Sequence, residues 1–150
     1  MSNKNNTYSM NDIKLLHISE IPFKLDLQFN KLTDEMKERI QVAFLFVLQY
    51  QEGNAASALH SVVKFILDEQ TILEGGVTLI FQSKEWDNMS HVEDDVKKTS
   101  FARKLISFSY PFMGGVQFSQ IQNTSLEGMF LPMIDPDKLV QDLHVKEIAK

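Results

Sequence analysis

Between Ile13 and Phe29 apolar and polar side chains alternate, with Phe23, Leu25, Leu27 and Phe29 set against Lys24, Asp26 and Gln28. A period of two places one set on each face of a strand. Pro22 lies inside this run and has no N–H to give to a ladder, which predicts an edge strand, a bulge or a break. Asn30 to Glu38 is polar and reads as a loop or a single helical turn. From Ile40 to Gln51 both alternating faces are apolar at the centre, as in a strand covered on both sides. A helix from Thr33 to Tyr50 competes, because short apolar runs fit either period. The continuation favours strand: Glu52-Gly53-Asn54 is a turn signal, and Leu59, Ser61, Val63, Phe65 and Leu67 then alternate again, as in a hairpin. Gly75-Gly76 reads as another turn, leading into the β-prone run Val77 to Phe81.

Beyond Phe81 the pattern changes. Ser90-His91-Val92-Glu93 fits a capping box, with acidic Glu93, Asp94 and Asp95 in the first turn and Lys97, Lys98, Arg103 and Lys104 further on. Phe101, Leu105, Phe108, Phe112 and Val116 recur at helical spacing. Pro111 should kink this helix or begin a new one. Met129 to Ile134 reads as extended, and Asp135-Pro136 as the start of a short terminal helix with Leu139, Val140, Leu143 and Ile148 on its apolar side. So small an apolar face predicts a lid rather than part of the core. Strands first and helices last predict an α+β fold: a four-stranded antiparallel sheet with a long helix and a short C-terminal helix packed on one face.

The chain has 150 residues, enough for one domain over residues 12–150 after a polar, Asn-rich tail at 1–11 that reads as flexible. The absence of Cys excludes disulfides, thiol catalysis and Cys-ligated zinc. The net charge is −5, and Lys and Arg never cluster beyond pairs, which argues against nucleic-acid binding. The longest apolar run, Val42 to Leu48, is far short of a membrane helix, and no signal peptide precedes it; a cytoplasmic protein is expected.

Catalytic chemistry is hard to find. His17, His60, His91 and His144 are scattered, without an acidic or His partner at ligand spacing. Gly75-Gly76 and Gly114-Gly115 lack the Lys and Ser/Thr of a phosphate loop, so turns or close packing account for them. Glu93-Asp94-Asp95 reads as a capped helix start and Asp135-Pro136-Asp137 as helix initiation. No catalytic residue, metal site or cofactor is expected. Apolar chemistry is abundant, with eleven Phe and seven Met, more than short helices over one sheet need cover.

The stretch from Tyr110 to Ile134 (aromatic-Pro-aromatic, a helix, a small-polar turn, then Phe130-Leu131-Pro132) resembles a segment of the SecB family of bacterial protein-export chaperones. Ser19-Glu20-Ile21-Pro22-Phe23 is similar to that family's first strand, and Phe23 to Leu27 with Ile40 to Gln51 to its second. The resemblance implies a dimer-of-dimers tetramer that holds unfolded preproteins, without ATP, in long apolar grooves. Such a groove is expected between the sheet and the terminal helix, with Phe44, Phe46, Leu131 and Leu139 as its candidate lining. The resemblance makes Glu20 a candidate contact for the SecA translocase. Lys24 reverses a second acidic position of that contact and Ser61 stands at a third, so an antitoxin is an alternative client to SecA-delivered preproteins. The helix face Phe101, Leu105, Phe108, Phe112 and Val116, with an exposed strand edge, is the expected oligomer interface. Two other readings stand beside the chaperone: a domain for a small apolar ligand, and a structural oligomer.

Overall fold

The computed structural model describes residues 12–29, 31–129, 132 and 134–149, with the backbone alone at Leu27. The tail expected over residues 1–11 and part of the extended run before Asp135 lie outside the described residues. The fold is α+β, with one sheet of five strands rather than four.

Strand β1 (Lys14–Leu25) forms one edge. After a helical turn, α1 (Asp34–Glu38), come β2 (Gln41–Tyr50), β3 (Ser57–Leu67) and β4 (Gln70–Gln82), and the order in the sheet is β1-β4-β3-β2-β5. Pro22 falls within a bulge between Ile21 and Lys24 of the edge strand, where its missing N–H costs nothing. The run Gln41 to Tyr50 is strand throughout, in antiparallel register with β3, and Thr33 caps only the short α1. In β3 every second residue from Ser57 to Leu67 is buried. That face carries Leu59, Val63 and Phe65 against Leu73, Val77, Leu79 and Phe81 of β4 and Phe46 and Leu48 of β2.

The helical layer covers this face. Short α2 (Lys84–Asp87) buries Trp86, whose indole N–H donates to Ser57 Oγ at 3.0 Å. The expected capping box at Ser90 does not form: α3 (Glu93–Lys97) has Val92 at its N-cap without a side-chain cap bond, and Glu93 reaches elsewhere. The chain breaks at Lys98 and restarts at Thr99, which caps the 21-residue α4 (Ser100–Gln120). Pro111 sits on the exposed side of α4, which continues through it rather than starting anew there. Phe101, Ala102, Leu105, Ile106 and Met113 fill the space between α4 and the sheet, and Ser61 Oγ donates to Ser109 Oγ in this otherwise apolar layer.

Two further expectations are overturned. The turn before Val77 lies at Asp68-Glu69, both at positive φ (50° and 68°), and not at Gly75-Gly76, which sit inside β4. A Cβ on Gly75 would come within 2.5 Å of Gln120 Oε1 of α4, and one on Gly76 within 1.9 Å of the Ser61 carbonyl oxygen. Close approach is what requires glycine there. The C-terminus is not one helix: α5 (Pro136–Leu139), capped by Asp135, gives way through a 3₁₀ turn to β5 (Leu143–Glu147), which pairs parallel with β2. Leu139, Val140 and Leu143 are buried, so this segment belongs to the core and is no lid.

Candidate functional site

The structure separates the residues proposed from sequence. Phe46 and Leu139 are buried in the core, and Phe44 is half-buried, its ring 6.3 Å from Phe46 and 5.7 Å from Tyr110. The space expected as a groove between sheet and terminal segment is therefore filled at these three side chains. Tyr110 closes this side by donating its hydroxyl to the Pro132 carbonyl, and burial raises its pKa above the usual phenol value. Leu131 lies outside the described residues. Glu20 is exposed on β1 opposite Val77.

The expected interface face of α4 divides in two. Phe101 and Leu105 are 1% exposed and spent on the subunit's own core, where Phe101 stacks on Trp86 and tilts against Phe81. Phe108, Phe112 and Val116 remain half-buried, with the two Phe rings edge to face at 5.6 Å. Four-residue spacing aligns these three with Gln120 on one ridge. Gln120 Nε2 lies 3.5 Å from the Ile21 carbonyl of β1, so the ridge runs toward the free edge of the sheet.

That edge carries the apolar side chains the sequence reading did not single out. Leu16, Ile18 and Phe23 are 44%, 37% and 36% exposed on β1, and Phe118 near the end of α4 is 45% exposed. Strand β1 pairs only with β4, so its outward N–H and C=O groups have no strand partner among the described residues. The available signal was Pro22: a proline inside an alternating apolar run marks an edge, and an edge strand keeps only part of its apolar side chains covered. An exposed apolar strip beside an open ladder can pair with an extended polypeptide through its backbone and hold apolar side chains without reading their sequence.

One of several concave regions lies between the β2–β3 turn and α2, a cleft of about 320 Å³ lined by Tyr50, Gln51, Ser57, Asp87 and His91 among others. Its aromatic wall is already occupied. His91 stacks on Trp86 at 3.8 Å, with Nε2 2.8 Å from the Trp86 carbonyl, and Tyr50 packs edge-on against both rings. Among the described residues no three His, Asp or Glu side chains are grouped to hold a metal ion, and no helix is long and apolar enough to cross a membrane.

No model of a known protein family matches this chain, and a search of curated proteins finds no match either.

Proposed function

We propose that the protein is a cytoplasmic, ATP-independent holdase, without catalytic activity, that binds unfolded polypeptide at the β1 edge and the adjoining α4 ridge. The observation that carries this reading is the coincidence of a twelve-residue edge strand, lacking a second strand partner among the described residues, with exposed Leu16, Ile18 and Phe23. Edge strands of this length are normally blunted by charge or covered, because an open apolar edge invites pairing with other chains. Pro22 and its bulge interrupt this edge near one end and a second register shift, between Leu15 and His17, interrupts it near the other, which leaves the stretch from His17 to Ile21 regular. The sequence resemblance to the SecB chaperones supports the same reading, with unfolded preproteins or a dedicated client such as an antitoxin as partner, and SecA as a delivery target through Glu20.

The same strip suits a second use. Two copies can pair β1 to β1 about a twofold axis and cover Phe108, Phe112 and Val116, as the expected tetramer would require. Native mass measured with and without a carboxymethylated, permanently unfolded polypeptide separates these uses. The holdase reading requires a stable client complex that persists at about 0.5 M salt, because apolar contact is not screened. It also requires that Ile18→Lys weaken that complex. A protein of any mass that ignores several unrelated unfolded chains is not a holdase.

A further inference from the structure

The register of the strands defines a second surface, the sheet face turned away from the helices, which no described element covers. It carries Lys14, Lys24, Lys64 and Lys146 against a single carboxylate, Glu74. With histidines neutral the face is +3, so a chain of net charge −5 bears −8 on the rest of its surface. His17 and His60 belong to the same face, and His144 shares its register at the β5 edge, where its Nδ1 lies 3.5 Å from Glu93 of α3. The segregation is sharp because the acidic residues crowd the turns and the helical layer, as in Glu93-Asp94-Asp95.

The layout of the face is as specific as its charge. Strand pairing aligns Leu45, Val62, Gly76 and Ile21 into an apolar row across four strands. Lys64 and Lys24 flank Glu74 in the neighbouring row on one side, about 7 Å away at two residues' rise. On the other side His60 is held in place, with Nε2 2.8 Å from Gln49 Oε1 and Nδ1 2.8 Å from Thr78 Oγ1. Lys64 is 3.3 Å from Glu74, which leaves Lys14, Lys24 and Lys146, all exposed, as uncompensated cations around an apolar centre.

We propose that this outer sheet face docks an acidic, amphipathic segment of a partner polypeptide, its apolar side chains over the Leu45–Ile21 row and its carboxylates against Lys14, Lys24 and Lys146. Charge complementarity selects an acidic occupant over a basic one. The apolar row, which offers no phosphate a partner, favours a polypeptide over a nucleic acid, which binds chiefly by phosphate neutralisation. The surface shares Lys14, Ile21 and Lys24 with β1 but uses their side chains on the outer face rather than the free backbone edge, so this docking does not rest on the holdase reading.

The test uses a synthetic 15-residue peptide of alternating Glu and Leu, its Lys-for-Glu counterpart, and a 15-nucleotide single-stranded DNA, each titrated into the full chain with amide NMR readout. The expected result is binding of the acidic peptide alone, shifts centred on Val62 and Ile80, and affinity that falls as salt rises from about 0.05 to 0.3 M. In the triple variant Lys14→Glu, Lys24→Glu, Lys146→Glu, that affinity should drop about tenfold or more. All three positions are exposed, so an unchanged amide spectrum confirms that the variant folds. Equal binding by variant and parent, tighter binding of the DNA, or shifts confined to β1 would overturn the proposal. So would a native mass that rises with concentration and reverts in the triple variant, since the occupant would then be the acidic helical layer of a second copy.

Discussion

The backbone amide of Val145, on the outward side of β5, donates to the Glu93 carboxylate at 2.9 Å. One side chain from α3 thereby closes part of the sheet edge formed by β5, while the opposite edge at β1 meets no second strand among the described residues. Glu93 also lies within 3.5 Å of His144 Nδ1 and 3.9 Å of Lys97 Nζ, and Lys97 in turn donates to the Gln141 carbonyl. The helix that begins with three acidic residues is thus tied to the last strand, and the asymmetry between the two edges directs any strand addition to β1.

Glu93→Ala should therefore destabilise the fold by about 1 kcal/mol, the scale of a hydrogen bond to a charged acceptor at a partly exposed site. Hydrogen exchange at the Val145 amide should accelerate by more than at Leu59. Glu93→Gln keeps an acceptor and should lose less. Equal exchange at Val145 in all three proteins would show that Glu93 does not close the edge.

Leu143 is fully buried opposite Phe46, and its removal tests whether the C-terminus is structural. Leu143→Ala leaves a cavity between β5 and the core and should cost about 2–5 kcal/mol in urea unfolding. Truncation before residue 143 should lower the midpoint further. A truncated chain with an unchanged midpoint would restore the lid expected from sequence.

The first three strands were legible because period-two alternation is a local signal, and Pro22 signalled an edge, a bulge or a break without deciding among them. Strand β4 was legible only from Val77, because Gly75-Gly76 looks like a turn. The C-terminal strand was not legible. Leu143 follows Val140 by three residues and Leu139 by four, which fits a helix, and all three are buried here through a 3₁₀ turn and a parallel pairing with β2 almost a hundred residues earlier. Long-range pairing of this kind leaves no periodic mark in a five-residue strand. The candidate site was read with the wrong partition for a related reason. Helical spacing placed Phe101 and Leu105 on one face with Phe112, but only the packed structure shows that α4 spends the first two on the sheet and Trp86. The outer-face lysines were invisible as a group, because Lys14, Lys24, Lys64 and Lys146 meet only through strand register.

Gly75 and Gly76 provide a test of adjacent, chemically identical positions. Gly76→Ala places a methyl group against the Ser61 backbone oxygen, which cannot move without the strand, and should cost about 1–3 kcal/mol or more. Gly75→Ala meets only the flexible end of Gln120, so its cost should be smaller and should shrink in the double variant with Gln120→Ala. Equal costs at the two sites, or rescue of Gly76→Ala by Gln120→Ala, would contradict this packing.

The last prediction concerns pH. Burial pushes His60 below its ordinary 6.5 while Thr78 and Gln49 occupy its two ring nitrogens. A base whose pKa is lower folded than unfolded takes up its proton more readily in the unfolded chain. Its contribution to stability is complete above pH 6.5 and is lost as pH falls through the folded-state value. Asp12 is also held below its ordinary 3.8, first by the Ser83 hydroxyl and then by backbone amides at the start of α2, so its contribution is complete above pH 3.8 and disappears only below it. The two groups thus act in separate windows. Urea midpoints should fall between pH 7.5 and 5.5 in the parent, and that fall should flatten in His60→Gln, whose amide can still meet Thr78 or Gln49. Asp12→Asn should lower the midpoint by a similar amount across pH 7.5–5.5, leave the slope there unchanged, and flatten the acid limb below about pH 4. A His60→Gln protein that loses stability over pH 7.5–5.5 as steeply as the parent would show that another group governs that window.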